Sequence, residues 1–212
     1  MKKQHTMATL AIARSRPVMY SEEEYLRLEN EAFERSEFYQ GKIVMMAGAT
    51  PNHNRVKENT SVEIGIVLKK NKSCRSYSSD QRIHIPHNSL YTYPDLVVVC
   101  GPNKYAELDR NTILNPSVIV EVSSPSTMEY DRINKFRLYR DIESLKEYVL
   151  ISSMSIAAEV FRRTADNQWL LADDAFALSE AITIQTIGAT LQMTDLYDGT
   201  ENVSSLFPAP KE

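Results

Sequence analysis

Two short runs of β-branched residues, "LVVVC" at 96–100 and "VIVEV" at 118–122, constrain the fold more than any other feature of the chain. Both are apolar at odd and even positions alike, so a strand built from either run buries both faces. Such strands need a layer above and a layer below, which predicts the middle of a covered sheet. The second run carries an anomaly: Glu121 stands in the middle of it. A buried, ionised carboxylate is normally paired, neutralised or bound to a metal, so the rest of the chain has to supply its partner.

The remaining segments supply the layers. Ser21 and Glu24 have capping-box spacing ahead of Tyr25, Leu26 and Leu28, which predicts a helix. In "SEFYQGKIVMMAG", Gly41 separates two potential strands and predicts a hairpin with Glu37 on its first arm. "PNHNRVKENTSVEIGIVLKK" repeats apolar positions at Val56, Ile64, Val67 and Leu68, as a helix with one basic end would. "CRSYSS" and "QRIHIP" read as strands, as do "EYVLIS", "AAEVFRR" and "WLLADD". Between the two groups, "TMEYDRINKFRLYRDI" has helical spacing, with a helix expected to begin near Glu129, and "TIGATLQMTDLYDG" closes with a short strand and a helical turn. The order predicts an α/β (α+β) core around one mixed sheet. Residues 1–16 are expected to form a flexible tail and 17–212 a single domain.

Composition narrows the class. Of the 212 residues, 42% are hydrophobic and 25% charged, as in ordinary globular domains. The formal net charge of -4 gives no global basic footprint, so any nucleic-acid contact must use a local basic face. Lys57, Lys69, Lys70, Lys72, Arg132, Arg137 and Arg140 are the candidates for it. No run is long enough to span a membrane, and the apolar stretch "MATLAIA" is short and followed by Arg14 and Arg16, a poor signal peptide. A cytoplasmic protein is expected. Cys74 and Cys100 show no CxxC spacing and are expected to be two free thiols in a reducing compartment.

Pro94-Asp95 opens the first apolar run, which places an acid at the mouth of a buried strand. Taken alone, an Asp after a Pro is as readily a turn residue. If the two strands are neighbours, however, Asp95 and Glu121 can meet, and two hard carboxylate oxygens are the usual nucleus of a Mg²⁺ site. Strand periodicity puts Ser123 on the face of Glu121, and it offers no cation. Asp131, Lys135 and Tyr139 lie four apart on the following helix and project from one face. In isolation that trio reads as a surface ion pair beside a half-buried Tyr.

"EFYQGKIVMMAGAT" with the following His53, "YPDLVVVCGP", "NPSVIVEVSSPSTMEYDRINKFRLYRDIESLKEYVLI" and "TIGATLQMTDLYDG" together resemble the Uma2 family, also called DUF820, of the PD-(D/E)XK nuclease superfamily. The resemblance runs from about Met19 to Leu206. It implies a restriction-endonuclease-like mixed sheet flanked by helices, with additional N-terminal and C-terminal strands, and Mg²⁺-dependent hydrolysis of phosphodiester bonds, with Mn²⁺ as a substitute. Residue by residue, it makes Asp95 and Glu121 the metal-holding acids and adds the backbone carbonyl of Val122. Lys135 is implied as the migrated lysine of the motif and Glu37 as a further catalytic acid, with His53, Ser123, Asp131 and Tyr139 in support. The implied partner is nucleic acid, with DNA favoured, and a homodimer is compatible with the family. The competing reading is a catalytically inactive module that keeps the nuclease fold and binds nucleic acid or protein.

Overall fold

The computed structural model describes residues 18–46, 48–70, 72–124 and 130–205. The expected tail at 1–16 and the expected helix start near Glu129 lie outside them. The first helix, α1 (Glu22–Glu31), begins where the capping box places it: Glu24 N donates to Ser21 Oγ and Ser21 N donates back to Glu24 Oε2. Strands β1 (Ser36–Tyr39) and β2 (Lys42–Met45) form an antiparallel hairpin. Its two loop residues, Gln40 and Gly41, both have positive φ, 46° and 85°, as the tightest hairpin turns require. The long helix α2 (Pro51–Lys70) follows and buries Val56, Thr60, Ile64 and Leu68.

The main sheet has six strands. It is built from β3 (Cys74–Ser78), β6 (Leu96–Cys100), β7 (Val118–Ser123), β8 (Glu147–Ser152), β10 (Ala158–Arg163) and β11 (Trp169–Ala175), and it runs β11-β10-β8-β7-β6-β3. The two apolar runs are the neighbours β6 and β7, antiparallel with Leu96 opposite Val120. Strands β7 and β8 are parallel, so the chain between them must cross over, and it carries a π-helical turn (Tyr130–Lys135) running into the short helix α3 (Phe136–Tyr139). A single helix was expected here. The structure replaces its first part with the wider π-turn, a feature that recurs at functional sites.

Alternation along β7 sorts the core into two layers. Val118, Val120 and Val122 pack with α2, with β12 (Ala181–Ile184), with β13 (Ala189–Gln192) and with α4 (Met193–Leu196). Ile119 packs on the other side with Tyr139, Tyr148 and the residues Ile83, Ile85 and Leu90. Those last three belong to β4 (Ile83–Ile85) and β5 (Leu90–Thr92), which join the hairpin in a second, antiparallel sheet of order β2-β1-β5-β4. The six-stranded sheet is the mixed sheet the sequence predicts, and the N-terminal strands add a separate antiparallel one. Strand β5 has three residues, too few for a periodic signal, yet it draws the hairpin away from the main sheet and over its face.

A second correction concerns the cysteines. Cys74 and Cys100 are opposite partners on the antiparallel strands β3 and β6, and they form a disulfide instead of two free thiols. Register across the pair, invisible in the sequence separation of 26, brings them together. Closing a loop of that length stabilises the fold by about 3.5 kcal/mol in the chain-entropy account. Reduction, or the Cys74→Ser/Cys100→Ser pair, should therefore lower the thermal midpoint by several degrees. An unchanged midpoint would show that the bridge contributes nothing in solution.

Candidate active site

Glu121 sits on the face of β7 that looks toward α3 and the second sheet, with its side chain 4% exposed. Its Oε1 accepts hydrogen bonds from Lys135 Nζ at 3.1 Å and from Tyr139 Oη at 2.6 Å. The π-turn thus brings Lys135 onto Glu121 as α3 brings Tyr139. The same ammonium lies 3.2 Å from Glu37 Oε1 and 3.8 Å from Asp131 Oδ1. Glu37 reaches the cluster from the hairpin, and its Oε1 also accepts from the Thr92 hydroxyl on β5. The cluster is therefore assembled across the two sheets.

Asp95 lies one residue before β6, across from Glu121 in the continued register. Its Oδ2 accepts from Val122 N at 2.8 Å and lies 3.2 Å from His53 Nε2, which stands in the first turn of α2. Along an extended strand, the N–H and C=O of one residue point to the same side, so the Val122 carbonyl shares the edge its N–H presents to Asp95. One oxygen of each acid is thus held by protein donors. The others, Asp95 Oδ1 and Glu121 Oε2, have no hydrogen-bond partner among the described residues.

The electrostatics follow from this crowding. Burial pushes the Glu121 carboxyl up to about 8; Lys135 and the Tyr139 hydroxyl oppose the shift, while Asp131 and Asp95 add to it. Burial alone would pull the Lys135 ammonium down, but Glu121, Glu37 and Asp131 outweigh it and hold the group well above its ordinary value. Lys135 is therefore a fixed positive charge and a hydrogen-bond donor, not a base. Burial also raises Tyr139 well above the ordinary phenol value, with Glu121 and Glu37 adding to the effect. Three carboxyl groups, Glu121, Glu37 and Asp131, thus surround one ammonium.

Two hard oxygens without donors, with a backbone carbonyl on the same edge, fit Mg²⁺, which is usually held by one or two carboxylates and completed by water and substrate phosphate. Among the described residues no three His, Cys, Asp or Glu side chains converge into an all-protein metal cage. The retained proton sets the sign of a pH effect. Because the folded pKa of Glu121 lies above its ordinary 4.5, its contribution to stability is complete below that value and is lost as pH rises through about 8. In chelator, the thermal midpoint should fall between pH 6 and 8.5, and Mg²⁺ should restore it most at the alkaline end. A Mg²⁺ effect independent of pH would contradict binding at Glu121.

Other expected residues fall in different places. Ser123 is buried two positions from Glu121, where its hydroxyl donates to the Ile151 carbonyl at 3.4 Å and its own carbonyl accepts from Ser153. It is engaged with the backbone of the sheet. Arg132 is paired with Glu159, while Lys69 and Lys70 end α2 about 24 Å along the helix from His53. The sequence reading missed Thr92, which fixes Glu37, and Tyr148, whose hydroxyl donates to the Asp131 carbonyl at 3.1 Å. The three-residue β5 leaves no sequence signal for Thr92. Tyr148 was visible only as one apolar position in "EYVLIS".

The chain is similar to known proteins over most of its length. The Uma2 family, described as "Putative restriction endonuclease", matches residues 22–194. Two proteins of Synechocystis sp. (strain ATCC 27184 / PCC 6803 / Kazusa), both described as uncharacterized, are similar. The protein sll1609 is 38% identical over 154 residues, covering 71% of this chain and 84% of its own length. The protein slr1290 is 34% identical over 182 residues, covering 84% and 92%. A crystal structure from Anabaena variabilis ATCC 29413, described as "a putative nuclease belonging to DUF820", superposes with a TM-score of 0.66 at 18% identity, over 82% of this chain and 96% of that one. At that identity the superposition establishes the fold alone.

Proposed function

This chain belongs to the Uma2 family, and from that premise we propose that it is a Mg²⁺-dependent endonuclease that hydrolyses phosphodiester bonds of nucleic acid, DNA foremost. The observation that carries the reading is the pair of oxygens, Asp95 Oδ1 and Glu121 Oε2, that accept no hydrogen bond among the described residues, beside the buried carboxylates gathered on Lys135. These two acids and the Val122 carbonyl would hold the ion. When bound, Mg²⁺ supplies a water of lowered pKa and neutralises charge on the phosphate.

The residues around the two acids have separable tasks. His53 and the Val122 N–H engage the Asp95 carboxylate through one oxygen, Oδ2, which would leave Oδ1 for the ion. Lys135 and Tyr139 do the same for Glu121. Lys135 stays protonated, so its role is to stabilise negative charge that grows during attack and to orient the attacking water, not to remove a proton. Glu37, held by Thr92, keeps that ammonium from swinging toward solvent.

Incubation with plasmid, linear duplex, single-stranded DNA and RNA, with Mg²⁺, Mn²⁺ or chelator, tests the reading. Products that require the divalent ion and disappear in Asp95→Asn are expected. Absence of products on every substrate, from protein shown to bind the ion, would leave the inactive binding module in place of the nuclease.

A further inference from the structure

Beside the acidic cluster lies a cleft of about 660 Å³, walled by Tyr39, His87, Asn88, Arg137, Arg140 and Trp169. Its size is that of an ordinary small-molecule site. It shares its walls with the candidate active site. Asn134, Arg137, Leu138 and Asp141, at helical spacing, line the cleft, while Lys135 and Tyr139 reach Glu121 from the adjoining side of the same segment. Tyr39 lies two residues along β1 from Glu37 and on the same face, about 7 Å away, or two stacked nucleotide steps.

The charge and aromatic content of the cleft specify its occupant. Neither Arg137 nor Arg140 has an ion-pair partner among the described residues, and the Arg140 guanidinium lies over the Phe136 ring at 5.5 Å. The carboxylate of Asp141 is held by Asn88 Nδ2 at 2.8 Å. Arg163 is committed to the carbonyls of Arg140 and Ile142 and lies over the Trp169 ring at 4.9 Å, while Phe136 meets that ring edge-on. Trp169 is thus a fixed wall, and Tyr39 is the half-buried ring without an aromatic partner among the described residues. In a chain of net charge -4, two unpaired arginines beside an available ring make a site for a phosphate attached to a planar base.

We propose that this cleft binds an unpaired nucleotide of the substrate strand close to the cleaved bond, its phosphate on Arg137 and Arg140 and its base against Tyr39. The proposal rests on the nuclease reading, which it deepens by requiring a strand that is single or locally opened at the site.

Trp169 is the sole tryptophan of the chain, so its emission reports on the cleft directly. Full-length protein in chelator, where no cleavage occurs, is titrated with short oligothymidylate, oligouridylate, a blunt duplex and inorganic phosphate. Either single strand should change the emission, the duplex much less, and Arg137→Ala/Arg140→Ala should bind about tenfold or more weakly while keeping its circular dichroism and thermal midpoint. No emission change with either strand, equal binding by the double variant, or phosphate competing as well as an oligonucleotide would overturn the proposal. The two readings fail separately. Strand binding at Trp169 by a protein that never cleaves would sink the nuclease and keep the nucleotide site. Cleavage with silent Trp169 and an unchanged KM in the double variant would do the reverse.

Discussion

Glu121→Gln should abolish Mg²⁺-dependent cleavage, a loss on the order of a thousandfold or more, while leaving the metal-free protein as stable as the parent or more so. The two effects run in opposite directions for one reason. Burial raises the Glu121 carboxyl to about 8, so near neutral pH the metal-free side chain is largely the neutral acid, and Gln reproduces its shape and its acceptor for Lys135 and Tyr139. A carboxamide cannot become the anion that Mg²⁺ needs. Parallel measurement of thermal midpoint in chelator and of cleavage in Mg²⁺ checks both. A variant that unfolds in chelator would mean that Glu121 is a structural anion paired with Lys135, with no need of a metal.

Lys135→Met should carry a large stability cost, about 3 kcal/mol near pH 8, because it leaves Glu121, Glu37 and Asp131 without the ammonium they surround. The cost should shrink toward pH 5. Without the cation the Glu121 carboxyl rises further, the folded variant binds more protons than the unfolded chain, and its stability is lost as pH increases. Denaturant titrations at the two pH values measure this slope. Below the unfolding range and with saturating Mg²⁺, the variant should also lose on the order of a hundredfold in cleavage rate. A wild-type rate would remove Lys135 from the catalytic account, and a cost independent of pH would show that its alkyl chain, not its charge, is what the fold requires.

Much of this site was legible in the sequence because it depends on local patterns. The capping box at Ser21, the turn at Gly41 and the two-sided runs at 96–100 and 118–122 each have a short-range physical signature, and they fixed the elements that carry Asp95, Glu121 and Glu37. The four-residue spacing of Asp131, Lys135 and Tyr139 announced a shared face. It could not announce that this face is buried on Glu121, because burial depends on the crossover between β7 and β8. What stayed hidden is long-range. The Cys74–Cys100 bridge follows from register between β3 and β6, and the second sheet from three residues of β5 too short for periodicity. The hold of His53 on Asp95 follows from where a helix of 20 residues begins relative to the sheet edge.

One measurement addresses the shared site most directly: a crystal of the wild-type chain soaked in Mn²⁺, examined by anomalous diffraction, with Asp95→Asn soaked in parallel. A single site is expected at the edge shared by Asp95, Glu121 and the Val122 carbonyl, absent from the variant. No anomalous signal there in a protein that cleaves nucleic acid in Mn²⁺, or an ion held elsewhere on the chain, would contradict the assignment of Asp95 and Glu121 as its ligands.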